Sequence, residues 1–334
     1  MIEFKNLKKA EELPKDWDKI SDSYFQTIDF LRHAERYNYC NQRYYMLYVQ
    51  NKLASAAIMY SLQLDLFTFV RIKSPIKTNI VGIPTSVSSK GIFGKKEYIE
   101  ALKKHVCKKN KGLILFLNQE TQNKNSDKAS GKTLPTIIFK NQFTNTEEYK
   151  SKLRYPYRRR INKLNSNTNY DIITSNCSVF DEEMYKQYLA VYNKSNDKLE
   201  RLNLDFFKNL PDNFLLTTIK KKDNLLGWHI TLTNNATTYF FLGGIDYKLN
   251  KNNSTYLRLL YNIVEKSIKN KTKIIDLGQT AEIPKIRMGG KPKTLYMEVF
   301  HSNYIFNFLL KKIIALIEYK VKLEYNKVFK EHLK

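Results

Sequence analysis

The stretch TTYFFLGGIDYKLNKNNSTYLRLLYNIVEKSIKNKTKIIDLG, residues 237–278, decides the fold. It opens with aromatic and β-branched residues, TTYFFLGGI (237–245), in the composition of a strand, and closes on a second apolar run, TKIIDLG (272–278). Between them STYLRLLYNIVEKSIKN (254–270) places apolar residues at helical spacing. Asn250 to Thr255 holds no bulky apolar residue and reads as a polar loop. The stretch is therefore a strand, loop, helix, strand unit of an α/β fold. The free N–H groups and dipole of the helix start make an anion site, with Ser254 or Asn253 as N-cap when no phosphate is bound, or else an ordinary capped helix.

Working outward, FLLTTIKKKDNLLGWHITLT (214–233) reads as a hairpin turning at Lys222, Asp223 and Asn224, and TLYMEVFHS (294–302) as a last strand. Helices are expected at 146–164 and 181–194. The first half repeats the order. A helix at Ser21 to Glu35 precedes a hairpin over 43–62, turning at Gln50, Asn51 and Lys52. Then come a strand IVGIPTS (80–86), a helix over 95–109, a strand GLILFLN (112–118), a polar loop over 119–133, and a strand LPTIIFKNQ that closes the lobe. The same succession twice implies a duplicated fold: an N-terminal lobe over 1–145, a C-terminal lobe over 146–303 that carries the site, and a basic amphipathic helix over 304–334. In that tail Leu309, Ile313, Leu316, Ile317, Val321 and Val328 recur near helical spacing with lysines on the other faces, so it packs on the body or lies on an anionic membrane surface.

Composition agrees with two folded lobes. A chain of 334 residues has length for about two domains. Its 42% hydrophobic and 13% aromatic content, with 23 Tyr and 19 Phe, excludes a disordered or collagen-like chain. The opening MIEFKNLKKAEELPKDW has no apolar core, and no run of 18 uncharged apolar residues occurs, so neither a signal peptide nor a spanning helix is expected, and the protein is expected in the cytoplasm, with a peripheral place at the inner membrane face as the alternative. Cys40, Cys107 and Cys177 are far apart, without a CxxC pair or a His at zinc spacing, which argues against a metal site or a disulfide framework. The net charge of +25 favours anionic partners: nucleic acid, anionic lipid, or the phosphates of a carrier. The cluster Lys152, Arg154, Arg158, Arg159, Arg160 and Lys163, interleaved with Tyr155 and Tyr157, is the densest such patch, and it suits a polyanion or simply a solvated helix face.

In IIDLGQTAEIPKIRMGGKPKTLYMEVF (274–300) polar Gln279, Thr280 and Glu282 follow a strand ending at Gly278. Ligands of α/β sheets bind beyond the carboxyl ends of strands, so this strand end and the Ser254 helix start are expected to face one crevice, with Lys285 and Arg287 adding positive charge. The tandem units resemble the GNAT superfamily, specifically its double-lobed FemAB-like branch. GGIDY (243–247), IDLGQT (275–280) and Lys285 followed by Arg287 and Gly289 are similar to the C-terminal signature of that branch, and RYPYRRRINK (154–163) resembles the basic helix opening its second lobe. The resemblance implies an α/β fold of tandem duplicated GNAT-like lobes, each a mixed, mainly antiparallel sheet flanked by helices. It also implies attack of an amine on an acyl group carried by acyl-CoA or acyl carrier protein, with a small-molecule or envelope-linked acceptor and no metal.

On that reading Asn252, Asn253, Ser254, Thr255, Gly278, Gln279, Lys285 and Arg287 bind the donor. Glu282 is the first candidate base and His229 the second. Tyr256, or Tyr247, protonates the leaving thiolate, while Asp246, Tyr247 and Thr280 hold the acceptor. Each has a structural alternative: a solvated loop carboxylate, a satisfied core histidine, a capping aspartate, a surface lysine. The sequence departs from the family in two places. Asn250 to Ser254 stands where a Gln/Arg-x-x-Gly-x-Gly/Ala phosphate loop is usual, and the coiled-coil insertion of the tRNA-using members is missing, which disfavours an aminoacyl-tRNA donor. A FemAB-like transferase that uses charged tRNA on a peptidoglycan precursor is the second reading. A non-catalytic module that binds nucleic acid or membrane is the third.

Overall fold

A computed structural model of the chain describes residues 1–65, 75–123, 127–166, 169–195, 198–320 and 327–330. The strands are β1 (Ile2–Leu7), β2 (Arg43–Val49), β3 (Lys52–Asp65), β4 (Pro75–Val81), β5 (Ile92–Gly94), β6 (Leu113–Gln119), β7 (Ala129–Lys140), β8 (Asp171–Asn176), β9 (Phe214–Lys221), β10 (Asn224–Asn234), β11 (Thr237–Ile245), β12 (Ile274–Asp276) and β13 (Lys291–His301). The helices are α1 (Ile28–Tyr37), α2 (Lys96–Lys109), α3 (Thr146–Lys152), α4 (Tyr155–Asn165), α5 (Glu182–Lys194), the one-turn α6 (Leu204–Lys208), α7 (Tyr247–Asn253), α8 (Thr255–Lys269), α9 (Glu282–Arg287) and α10 (Tyr304–Ile317).

They form two compact units, Met1–Leu134 with Asn196–Phe206 and Thr294–Val321, and Pro135–Ser195 with Phe207–Lys293 and Lys322–Lys334. In the first unit the strand order is β1-β2-β3-β4-β6-β13, with β5 also on β3. Its pairs are antiparallel except for the parallel β4 and β6. In the second unit the order is β8-β9-β10-β11-β12-β7, again antiparallel except for the parallel β11 and β12. The fold is mixed α/β, and the two units share one succession of pairings. Local chemistry explains each step. The β2–β3 turn places Gln50 (φ 50) and Asn51 (φ 62) in the left-handed region, the two-residue geometry that matches strand twist. The parallel pairs require long crossovers, supplied by α2 and by α8.

In the second unit α8 buries Leu260, Ile263, Val264 and Ile268 against Ile137, Phe139, Ile275 and Leu277. Trp228 of β10 is fully buried, edge-on to Phe180 at 4.8 Å, with its indole Nε1 donating to Met184 O at 3.0 Å. In the first unit α2 covers the sheet through Leu102 and Val106, which share one core with Leu47 of β2, Met59 of β3 and Ile114 and Phe116 of β6. The buried Lys103 ammonium meets Glu298 of β13 at 2.8 Å. Cys40, Cys107 and Cys177 are free and buried.

Several expectations need correction. The closing strands are exchanged: LPTIIFKNQ, within β7, pairs with β12 in the second unit, and TLYMEVFHS, within β13, pairs with β6 in the first. Both are apolar antiparallel closing strands, so local pattern does not say which sheet receives which. The strand expected at 80–86 runs over Pro75–Val81, and that expected at 272–278 is paired only over Ile274–Asp276. The helix expected over 146–164 is two, α3 and α4, broken where Leu153 and Arg154 turn extended ahead of Pro156. The tail is not one helix: α10 ends at Ile317, where Glu318 Oε2 accepts from Lys132 N at 2.9 Å and Tyr319 N donates to Lys132 O. Val328 of the expected stripe lies instead in the extended segment where Phe329 bridges Leu153, while Val321 lies outside the described residues.

Candidate functional site

The site is assembled from three pieces of the second unit. The first is the junction after β11, where Asp246 caps α7 by accepting from Lys248 N at 2.7 Å and Leu249 N at 3.2 Å. The segment expected as a loop is thus a helix, α7, joined to α8 through Ser254 in the left-handed conformation (φ 51). Asn250 Oδ1 accepts from Tyr256 N at 3.0 Å, supplying the cap that Ser254 does not.

The second piece is α4, whose basic sequence lies beside this junction. Arg258 of α8 fixes it: Nη1 donates to Leu164 O at 2.9 Å, Nε donates to Asn253 O at 3.0 Å, and the guanidinium lies 3.8 Å from the Tyr170 ring centre.

The third piece follows β12. Gly278 (φ 75), Thr280 (φ 60) and Ala281 (φ 46) occupy the left-handed region before α9 begins at Glu282. For the two non-glycine residues that conformation costs about 1–3 kcal/mol each, a strain that persists only where surroundings enforce it. Lys285 enforces it. Its ammonium is buried and donates to Gln279 O at 2.7 Å and Gly278 O at 3.2 Å, tying α9 back onto the turn. Burial drives the ammonium down to about 7, against the opposing pull of Asp276 and Glu282. Beyond α9, Gly289 (φ 102) sits where a Cβ would lie 2.4 Å from the Phe329 ring, and the buried Tyr149 hydroxyl donates to Met288 O at 2.9 Å. The tail segment around Phe329 is thus part of the wall behind α9.

These pieces enclose a pocket of about 390 Å³. Its walls are Tyr157, Arg160 and Ile161 from α4, Asn250, Lys251, Ser254, Tyr256 and Leu257 from the α7–α8 junction, and Pro284, Arg287 and Met288 from the α9 side. Three cations ring an apolar and aromatic floor, and none of these lining residues is a carboxylate. The Tyr256 phenol is pushed well above its ordinary value by burial first, then by Tyr247 and Glu282, so it keeps its proton.

Of the residues singled out by sequence, Ser254, Tyr256, Arg287 and Arg160 meet in this pocket. Glu282 opens α9, half-buried, and its charge reaches both Tyr256 and Lys285. Lys285, Gly278 and Gln279 form the turn brace rather than the pocket wall. Asn253 is buried, receiving the Tyr170 hydroxyl at 3.1 Å, and Thr255 is buried, while Asn252 and Thr280 are exposed. Asp246 is a helix cap, and the Tyr247 ring receives the Lys194 ammonium at 4.1 Å. Arg158 and Arg159 share α4 but do not line the pocket.

His229 is fully buried, with Nε2 bonded to Asn262 Oδ1 at 3.0 Å. Burial lowers it to about 4, opposed by the Asn262 bond and reinforced by Lys266. The imidazole is sealed in the core and is not among the pocket's lining residues. Sequence reading gave no pocket role to Arg258, one position of an expected helix, and none to Asn250 and Lys251, because a segment read as loop has no faces to assign. As a helix, it puts positions 250, 251 and 254 on one side.

Comparison with known proteins follows the same ground. Residues 151–285 match the family model of the acetyltransferase (GNAT) domain. The fold is similar to the C-terminal domain of a putative lysylphosphatidylglycerol synthetase from Agrobacterium fabrum, at 9% identity over 91% of this chain and 96% of that one, TM-score 0.55. It is similar to FemX, at 10% identity over 93% and 99%, TM-score 0.51. It is also similar to a tandem GNAT protein from the clavulanic acid biosynthesis pathway, at 9% identity over 91% and 99%, TM-score 0.51. A comparison by sequence with curated proteins finds none that matches. Residues 151–285 thus carry an acetyltransferase (GNAT) domain, within a chain whose fold is similar to those of FemX and of a tandem GNAT protein.

Proposed function

We propose that the chain is an N-acyltransferase whose donor, acyl-CoA or an acyl carrier protein, seats its phosphates in the pocket at the start of α8. The observation that carries this reading is the ring of Arg160, Lys251 and Arg287 around the N-terminus of a 15-residue helix, above an apolar floor. Such a setting suits an anionic group joined to an apolar arm, and its volume lies in the range of small-ligand sites. The acceptor is an amine, on a small molecule or a cell-envelope component. Its nitrogen attacks the acyl carbonyl carbon, the C–N bond forms as the C–S bond breaks, the amine proton passes to Glu282, and the carrier leaves as a thiolate that takes the Tyr256 phenol proton, which the protonated Glu282 then restores. Tyr256, protonated at working pH, donates a hydrogen bond to the departing sulfur. Lys285 acts as a positioning residue that holds the 278–281 turn and through it Glu282. Placing both reactants supplies about 7–11 kcal/mol of barrier reduction and a base about 10²–10⁴-fold.

The test is loss of acetyl-CoA thioester, read as free thiol, against a panel of amines. Glu282→Gln lowers turnover by about 10²-fold or more with donor affinity unchanged. A fully active Glu282→Gln enzyme removes Glu282 from the chemistry. A second reading, an aminoacyl-tRNA donor, is favoured by one feature: the basic helix α4 runs from Arg158 and Arg159 into the pocket through Arg160. It requires tight, steeply salt-dependent tRNA binding and no binding of CoA.

A further inference from the structure

Helix α10, YIFNFLLKKIIALI, is apolar over most of its circumference and is covered on only one side. Leu310, Ile314 and Ile317 pack on Leu113, Leu115, Ala129 and Val299 of the first unit. The opposite side is bare: Ile305 is 65% exposed, Phe308 52%, Leu309 47% and Leu316 63%, with Tyr304 and Phe306 beside them. At about 100° per residue these four share one stripe with Lys312 in its middle. A continuous exposed apolar stripe of this kind marks an interaction surface.

The charges indicate what covers it. The helix holds Lys311 and Lys312 and no carboxylate. Asp127 acts on Lys311, whereas the Lys312 ammonium lies 5.4 Å from the Phe308 ring centre, within the apolar stripe. A second copy of α10 pressed against this stripe would bury Lys312 with no acidic residue on the facing helix to meet it. An anionic bilayer accepts both features, because apolar side chains enter the acyl boundary while the lysine reaches the headgroups. At about 21 Å, α10 is too short to cross a hydrocarbon core of about 30 Å, so it would lie in the plane of the interface. Among the described residues no helix is long and apolar enough to span a membrane. The net charge of +25 draws the whole chain to such a surface.

We propose that α10 is a membrane-docking helix that seats the protein on an anionic lipid surface. The proposal is independent of the chemistry in the second unit. Flotation of the full chain with vesicles of phosphatidylglycerol and phosphatidylcholine, against phosphatidylcholine alone, tests it. The wild type floats with the anionic vesicles and little with the neutral ones. Ile305→Ser, Phe308→Ser and Leu309→Ser together lower the bound fraction about tenfold or more while the unfolding midpoint holds, since all three are exposed. Lys311→Ala with Lys312→Ala weakens binding and flattens its salt dependence. As a check independent of the triple variant, Leu309→Trp shows blue-shifted fluorescence and quenching by brominated lipid. Wild-type protein that stays off anionic vesicles, a Leu309→Trp variant that brominated lipid leaves unquenched, or a dimer in light scattering that the serine substitutions dissolve would overturn the proposal.

Discussion

Lys285→Met offers the sharpest test of how the 278–281 turn is held. The ammonium is buried, with two backbone carbonyls as its partners, and titrates at about 7 in the folded chain against 10.5 for an ordinary lysine. Between those values the unfolded chain binds more protons than the folded one, so this residue makes stability rise with pH. Below about 7 the penalty of the buried charge is fully present, and it is relieved as pH climbs toward 10.5. Integrating from about pH 6.5 to about pH 9 gives a gain of about 2–3 kcal/mol for the wild type relative to Lys285→Met, which has no proton to lose. The methionine also abandons the Gly278 and Gln279 carbonyls, an offset of about 1–3 kcal/mol that does not vary with pH. Urea unfolding of both proteins across that range isolates the slope, because every other titrating group is common to the pair. Parallel stability curves would refute a buried, depressed ammonium and with it the brace.

Three further outcomes follow from the same geometry. Glu200 is buried in the first unit, its Oε1 receiving the Ser86 hydroxyl at 3.1 Å, and burial raises its carboxyl from 4.5 to about 7. The folded chain then holds the extra proton, so that stability is full below about 4.5 and is lost as pH rises to about 7; Glu200→Gln is more stable than wild type by about 3 kcal/mol above that window and equal to it below, in denaturant titrations at two pH values. His229 has the opposite sign, because its neutral form is the one the core accepts: stability present above 6.5 is lost as pH falls through about 4, and His229→Gln flattens that acid limb in thermal melts. Gly244→Ala would place a Cβ 2.5 Å from the Trp228 indole nitrogen, and guanidinium unfolding should show a loss of about 1–3 kcal/mol.

Much of this was legible from residue order. The hairpins over 43–62 and 214–233 and the α8 helix declare themselves because polar turns and apolar period are local properties. The GNAT-like succession of elements followed from them. The exchange of β7 and β13 did not, since strand pairing across more than a hundred residues leaves no trace in either strand's own alternation. Helices α7 and α9 were hidden for a different reason. YKLNKNN is polar and EIPKIR is short with an internal proline, so both lack the stripe that marks a helix, and the structure holds them through Asp246 and Lys285 instead. With α7 read as a loop, Asn252 and Asn253 were singled out, whereas Asn250 and Lys251 are the residues of that segment that line the pocket. Arg160 and Arg287 were named in separate roles, and only the packing of α4 against the α8 start brings them to one cavity.

The account stands most directly on that cavity as the donor site, and calorimetric titration of CoA into wild type and into the Arg160→Ala, Arg287→Ala double variant measures it. The account predicts saturable binding by the wild type, weakened at least tenfold in the double variant, with two charge-assisted contacts of about 1.5–3 kcal/mol each removed and the fold intact. Equal affinity in the two proteins, or no CoA binding beside strong tRNA binding, would contradict it.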